Sequence, residues 1–416
     1  MVNAETLSLE RANFRADATT ISVVALAHGT SHFFQLLLPP LFPWLAKEFS
    51  LSFTQLGALA TLFYVVSAAG QAAAGFVVDK IGTRAVLFGG LALFALSALI
   101  AANANGYAML TAAAMLSGLG NSFFHPVDYS IINQRVSSSR IGHAYSAHGL
   151  SGTFGYATSA FAMVLLANEF GWRNALYVAM VFAIVALVIA IVFRDAIDTR
   201  HLIRERAEIA KASNANEHAL AFMKHPAVWL CFAFFFVLTF NGSALQNFSA
   251  PALSAIANID LTLAATALTG YYVFNAIGQL GGGYIVAKKW MGPEQVIAAA
   301  LAFSAAMLML AAFGLLSGTA ALLPIMLSGI GTGVAGPSRD LLIKQATPAG
   351  STGRVYGMVY SGLDTGLAVS APMFGYLMDH AMPRAIFAGA AIALVVALLL
   401  GLWVSRTTQH QLAAAK

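Results

Sequence analysis

The chain has 416 residues, 59% of them hydrophobic and 9% charged, with a formal net charge of +5 and a mean hydropathy of +0.76. Soluble domains carry about 25% charged residues. This chain therefore has too little polar surface to face water and reads as an all-α integral membrane protein, with nothing to suggest a nucleic-acid partner. Its one cysteine, Cys231, excludes an intrachain disulfide and sits in the apolar run CFAFFFVL as a small buried hydrophobe.

Residues 1–19 are polar, lack a cleavable short apolar leader, and read as a cytoplasmic N-terminal tail. A membrane helix needs about 20 mostly apolar residues. Such spans are predicted near 20–43, 54–78, 84–103, 107–131, 141–167 and 172–193, which make 20–193 a six-helix bundle. The charged stretch 194–225 reads as a cytoplasmic inter-domain loop. Spans near 226–250, 263–287, 295–316, 319–343, 353–378 and 384–405 make 226–405 a second six-helix bundle, and 406–416 is a cytoplasmic tail. The fourth, fifth and tenth spans carry enough polar residues to blur a hydropathy profile.

Lysine and arginine set the orientation, because they favour cytoplasmic loops. With the N-terminus inside, only Lys47, Arg173 and Arg384 fall outside, and the other 19 of the 22 basic residues fall inside. Both termini are expected in the cytoplasm.

The halves repeat each other. LFYVVSAAGQAAAGFVVDK (62–80) matches GYYVFNAIGQLGGGYIVAKK (270–289), and MLSGLG before Pro126 matches MLSGIG before Pro337 at the same spacing. Parallel six-helix repeats are one plan of secondary transporters, with the site near the midplane between them. GFVVDKIGTR (75–84), placed after the second span, resembles the loop signature of the major facilitator superfamily through Gly75, Asp79, Lys80, Gly82 and Arg84; the second copy has Ala287 in place of the acid. The first-span histidine ahead of EFSLSFTQLG (48–57), with GNSFFHP (120–126), is similar to the fosmidomycin-resistance branch of drug exporters. Where that branch tends to carry an acid one turn after the histidine, this chain has His32.

Ionisable groups in a membrane are costly and normally face a cavity or one another. His28, His32 and Gln35 share one helix face, as do Ser117, Asn121, His125 and Asp128 on the fourth span. The superfamily resemblance implies that both faces line a central cavity, where His148 of the fifth span joins them. In the second half, the residues 211 positions on from the histidines do not titrate, and the polar groups are Asn241, Asn247, Tyr271, Asn275 and Gln279, with Arg339, Asp340, Tyr356, Tyr360 and Asp364. Asp128 and Arg339 are candidates for a gate pair or a substrate anchor. Asp79, Lys80 and Arg84 are expected to act in conformational change. Gly70, Gly75, Gly278 and Gly283 read as close-packing positions.

Taken with the resemblance, these features imply a proton-coupled exporter, working by alternating access, for a small hydrophilic or anionic organic compound. It is expected as a monomer in the inner membrane, with protons, substrate and lipid as its partners. No cofactor is expected, and no enzyme motif such as HExxH or GxSxG is present. The alternative is a transition-metal or metal-chelate transporter using His28, His32, His125 and Asp128.

Overall fold

The computed structural model describes residues 4–199, 226–288, 290–346 and 352–414; residues 200–225 of the expected inter-domain loop lie outside them. Among the described residues the structure is helical with no strand. The chain runs α1 (Ala4–Gln35), α2 (Phe42–Phe49), α3 (Phe53–Ile81), α4 (Thr83–Ala102), α5 (Tyr107–Asn121), α6 (Phe124–Arg135), α7 (Ile141–Phe170) and α8 (Trp172–Val192). After the loop come α9 (Pro226–Ala257), α10 (Leu261–Lys288), α11 (Pro293–Phe313), α12 (Leu323–Ala346), α13 (Thr352–Asp379) and α14 (Pro383–Ala414). Taking α5 and α6 as one span and α2 as a short appendage of the first, these supply the twelve expected spans. Helix α1 begins at Ala4, inside the stretch read as a polar tail.

Nine segments of the described residues are long and apolar enough to cross a membrane. The helices that fall short are α5 with α6, α10 and α13. All three carry glycine and polar residues that helix geometry tolerates but hydropathy penalises. The fifth and tenth spans, also read as polar, clear the threshold.

The fourth span is broken near its middle. It stops at Asn121 and resumes at Phe124. Pro126 lacks an N–H, and its ring clashes with the carbonyl four residues back, that of Ser122, so the chain turns at Ser122 and Phe123. Two other turns rest on glycine. Gly82 (φ 86°) links α3 to α4 and Gly171 (φ 85°) links α7 to α8, in backbone conformations that strain an L side chain.

Contacts divide the chain into two compact units. The first comprises Met1–Leu37, Val66–Tyr156 and Arg173–Asn216. Its core includes Phe34, Phe94 and Phe124, with ring centroids 4.5 Å and 5.1 Å apart in sequence. Arg84 of the 75–84 motif pairs with Asp195, with Asp198 at 3.1 Å, and donates to the Arg194 carbonyl at 2.7 Å, pinning the segment that follows α8. Lys80 is exposed, and the side chain of Asp79 lies outside the described residues.

The second unit comprises Leu38–Val65, Ala157–Trp172 and Glu217–Lys416. Here α3 packs on α13 through Ala60, Phe63, Tyr64, Leu367, Ala368 and Ala371. The Thr61 hydroxyl donates to the Ala368 carbonyl at 2.6 Å. At the end of that seam, Asp379 accepts hydrogen bonds from the backbone N–H groups of Phe53 (2.6 Å) and Thr54 (2.9 Å), which are otherwise unsatisfied at a helix N-terminus.

Candidate functional site: a histidine cluster on one carboxylate

Helix α1 carries His28 and His32 one turn apart, and α7 presents glycines to them. The Cα of Gly152 lies so close that a Cβ built there would sit 3.1 Å from His28 Nε2 and 3.0 Å from a His32 ring carbon. A Cβ on Gly29 of α1 would meet the Ser151 carbonyl oxygen of α7 at 3.1 Å. Small residues on both helices therefore let two imidazoles enter a space that a larger side chain would fill.

The turn at Ser122 and Phe123 sets the other wall. Helix α6 restarts at Phe124 and brings His125 and Asp128 to the α1 histidines. Asp128 is fully buried. Its Oδ2 is hydrogen-bonded to two imidazoles, His28 Nδ1 at 3.0 Å and His148 Nε2 at 3.2 Å. The His28 and His148 rings stack with centroids 3.5 Å apart, and those of His28 lie 4.4 Å from His32 and 5.2 Å from His125. Four histidines and one carboxylate, drawn from α1, α6 and α7, thus form one cluster inside the first unit.

Several polar atoms of this cluster are buried without a hydrogen-bond partner in the protein: both ring nitrogens of His32, Nδ1 of His125, Oδ1 of Asp128 and the Ser117 hydroxyl. Such groups are few in native proteins, and several together mark a place with a chemical use. Burying a lone carboxylate is costly. Asp128 therefore needs a shared proton, carried either on the carboxyl or on one of its two imidazole partners.

Gln35 and Asn121 extend the polar face. Gln35 donates to the Asn121 side-chain oxygen at 3.1 Å, and the Asn121 amide donates to the Ser67 hydroxyl at 2.8 Å. The Tyr156 hydroxyl donates to Gln35, while its ring meets His32 edge-on at 4.4 Å. Ser31, whose hydroxyl donates to the Asn121 side-chain oxygen at 3.3 Å, was not among the sequence-derived site residues, nor were Ser67 and Tyr156. Tyr156 lies eight residues beyond His148, two turns along the same helix face, and that spacing is the signal that could have found it.

The second unit holds a different arrangement. Tyr271 accepts from the Asn241 amide at 3.4 Å and from the Thr332 hydroxyl at 3.0 Å; Asn275 donates to Thr332 at 3.0 Å, and Gln279 to Asn275 at 2.7 Å. This chain of neutral groups links α9, α10 and α12. Thr332 is its hub and was not singled out from the sequence. Asn247 lies apart from it, bonded to Ser243 within its own helix. Arg339 pairs with its neighbour Asp340 at 3.0 Å and lies over the Phe235 ring at 5.1 Å. Tyr360 packs 5.6 Å from the same ring, and Asp364 is half-buried on α13. The side chain of Tyr356 lies outside the described residues.

A polytopic helical protein with a buried titratable cluster has the build of a membrane transporter. The family profile of the Major Facilitator Superfamily matches residues 24–250 and 232–416, and the chain belongs to that family. It is 29% identical over 175 residues to the fosmidomycin resistance protein of Escherichia coli (strain K12), covering 42% of this chain and 43% of that one. It is 27% identical over 165 residues to the uncharacterized transporter YfnC of Bacillus subtilis (strain 168), covering 40% of each. The chain thus spans less than half the length of these relatives. A crystal structure of a bacterial homologue of the human lysosomal transporter Spinster, inward-facing and occupied, superposes with a TM-score of 0.75 at 13% identity, covering 93% of this chain and 96% of that one. That likeness shows the fold. The protein is a multi-pass helical membrane protein of the superfamily.

Proposed function

We propose that the protein is a secondary transporter that exchanges protons for a small hydrophilic or anionic organic compound, exporting it by alternating access. The observation that carries this reading is the buried carboxylate of Asp128 held between His28 and His148. An imidazole beside a carboxylate can take up a proton from it or return one, which is the chemistry a proton relay needs. Buried titratable residues in membrane helices mark proton or ion pathways. The neutral chain through Asn241, Tyr271, Thr332, Asn275 and Gln279 suits recognition of a polar solute by hydrogen bonds.

The likeness to a fosmidomycin resistance protein supports efflux of an organic compound. The reading takes 20–193 and 226–405 as the repeats that alternate, both termini as cytoplasmic, the inner membrane as location and a monomer as the working unit. The lysine and arginine bias between loops supports the orientation. Lys80 and Arg84, at the end of α3 and the start of α4, together with Asp79 would govern the conformational change.

The test is made in proteoliposomes. A pH gradient is imposed, and fosmidomycin and small carboxylates are followed with a lumenal pH dye. Coupled proton and solute movement that is lost in Asp128→Asn is the expected result. Solute exchange that ignores the gradient, or a gradient response retained in Asp128→Asn, would sink the coupling assigned to this cluster.

A further inference from the structure

We infer that His28, His125 and His148 form a binding site for a divalent first-row transition-metal ion of the Zn²⁺ and Co²⁺ class, with Asp128 as the carboxylate behind two of the ligands. Each histidine offers one ring nitrogen, and the three nitrogens lie within 4.8 Å of one another. Zinc–imidazole bonds are about 2.0–2.1 Å long, which puts ligand nitrogens of a tetrahedral site about 3.3 Å apart. Side-chain rotations of three residues on three different helices would close that difference, with the stacked His28 and His148 rings tilting apart so that their lone pairs converge.

The contacts to Asp128 favour tautomers that suit it. His28 meets Asp128 through Nδ1 and His148 meets it through Nε2. An imidazole that donates one N–H to a carboxylate keeps a lone pair on its other nitrogen. This is the carboxylate–histidine–metal arrangement, which orients the ligand and raises its basicity. His125 contributes an Nδ1 that is buried and has no protein partner. Asp128 is fully buried and keeps Oδ1 unpartnered, so it supplies negative charge to offset a dication. His32, with both ring nitrogens unpartnered and its ring 4.4 Å from that of His28, stands beside the set as a source of a fourth ligand.

The donor chemistry selects the ion. Three imidazole nitrogens suit zinc, cobalt, nickel or copper, whereas magnesium and calcium require shells of oxygen. The grouping differs from the one suggested by sequence spacing, which took His28, His32, His125 and Asp128 as direct ligands. In the structure His148 enters the trio and Asp128 stands behind it. The inference does not rest on the proton-coupled reading, though both use the same imidazoles.

The experiment titrates the purified full-length protein in detergent with Co²⁺ and records visible absorption. Tetrahedral coordination by nitrogen is expected to give intense ligand-field bands that saturate at one ion per chain and are erased by Zn²⁺. His125→Ala and His148→Ala should each abolish the bands or weaken binding at least tenfold, and Asp128→Asn should weaken it on the order of 10–100-fold. X-ray absorption of the zinc-loaded wild type, which needs no variant to fold, should show multiple scattering from three imidazoles. Absent bands with folded protein, binding unchanged in both histidine variants, or a zinc shell without imidazole would each overturn the inference. Proton-driven transport without Co²⁺ bands refutes the metal site alone. Co²⁺ bands in a protein whose transport ignores the pH gradient refute the coupling alone.

Discussion

Two stretches of this chain are almost the same sentence written twice. MLSGLGNSFFHP occupies 115–126 and MLSGIGTGVAGP occupies 326–337. The first breaks after Asn121 into α5 and α6, while the second runs unbroken through Pro337 within α12. Both prolines face the carbonyl four residues back, that of Ser122 in one copy and of Gly333 in the other. In the second copy Gly333 and Gly329 pack directly against the backbone of α10 at Asn275 and Tyr271, where a Cβ would collide with a carbonyl oxygen. Helix α12 therefore stays continuous along its neighbour, and Thr332 joins the neutral chain of Tyr271 and Asn275. In the first copy the break re-aims the backbone, and His125 and Asp128 meet the α1 histidines. One repeated motif thus serves two ends: a broken helix that gathers titratable groups, and a continuous one that gathers neutral groups.

The sharpest way to break this comparison is to remove the group that makes the first region different. Asp128→Ala leaves His28 and His148 without their shared acceptor. Leaving a buried hydrogen-bonding group without a partner costs about 1–3 kcal/mol, and two imidazoles lose theirs here, so the variant should melt far below wild type in detergent. Asp128→Asn keeps the shape, and its transport should lose its response to a pH gradient. A wild-type melting curve for Asp128→Ala would show that the cluster contributes nothing to the packing of α1, α6 and α7.

The next largest effect is expected at Gly152. In Gly152→Val the added atoms must displace His28 and His32, and overpacking typically costs about 1–3 kcal/mol. The variant should also blunt the pH response, because His28 leaves Asp128. A Gly152→Val protein with wild-type stability and pH response would mean that α7 does not seat the α1 histidines.

The neutral region should behave otherwise. Tyr271→Phe removes the acceptor used by Asn241 and Thr332, a loss of about 1 kcal/mol. Its melting temperature should fall by a similar amount at about pH 5 and about pH 8, and solute affinity should change without altering the pH response of transport. A pH response lost in Tyr271→Phe would erase the distinction between the regions.

Much of this was legible in the sequence, because helical spacing is local information. His28 and His32 lie on one face at i and i+4, and Asn121, His125 and Asp128 follow the same rule on their own span. What spacing does not encode is which faces meet. Asp128 finds His28 across 100 positions and His148 across 20, while α1 meets α7 at Gly29 and Gly152, whose lack of side chains reads in the sequence only as permissiveness. Thr332 illustrates the same limit. A threonine in a small-residue run looks like packing, and it becomes the hub of a network only once α12 lies against α10. Arg339 shows the reverse case: a cation that stands out in an apolar span and that sequence reading offered to a gate or a substrate, yet its neighbour Asp340 and the Phe235 ring both engage it.

The smallest effect belongs to Asp379, which sharpens the comparison by placing pH dependence in the second unit at a site apart from its neutral chain. The carboxylate stands at the end of α13, just past the last apolar residue of the span, and caps the start of α3. Burial would raise its pKa, but hydrogen bonds from the Thr54 hydroxyl and from the backbone N–H groups of Thr54 and Phe53 outweigh that and hold it below the ordinary carboxylate value. A folded-state pKa below the unfolded one gives stability that is fully present above the unfolded value, near 3.9 for aspartate, and is lost as the pH falls through the folded value. The site is largely exposed, so solvent screening keeps the electrostatic part small. Removing a cap of this kind costs about 1 kcal/mol. Asp379→Ala should therefore melt slightly below wild type at neutral pH, and the two curves should converge in the acid range as the wild-type carboxylate is protonated. A gap between them that stays constant down to about pH 2 would mean that Asp379 acts through its shape, not through its charge on the helix end.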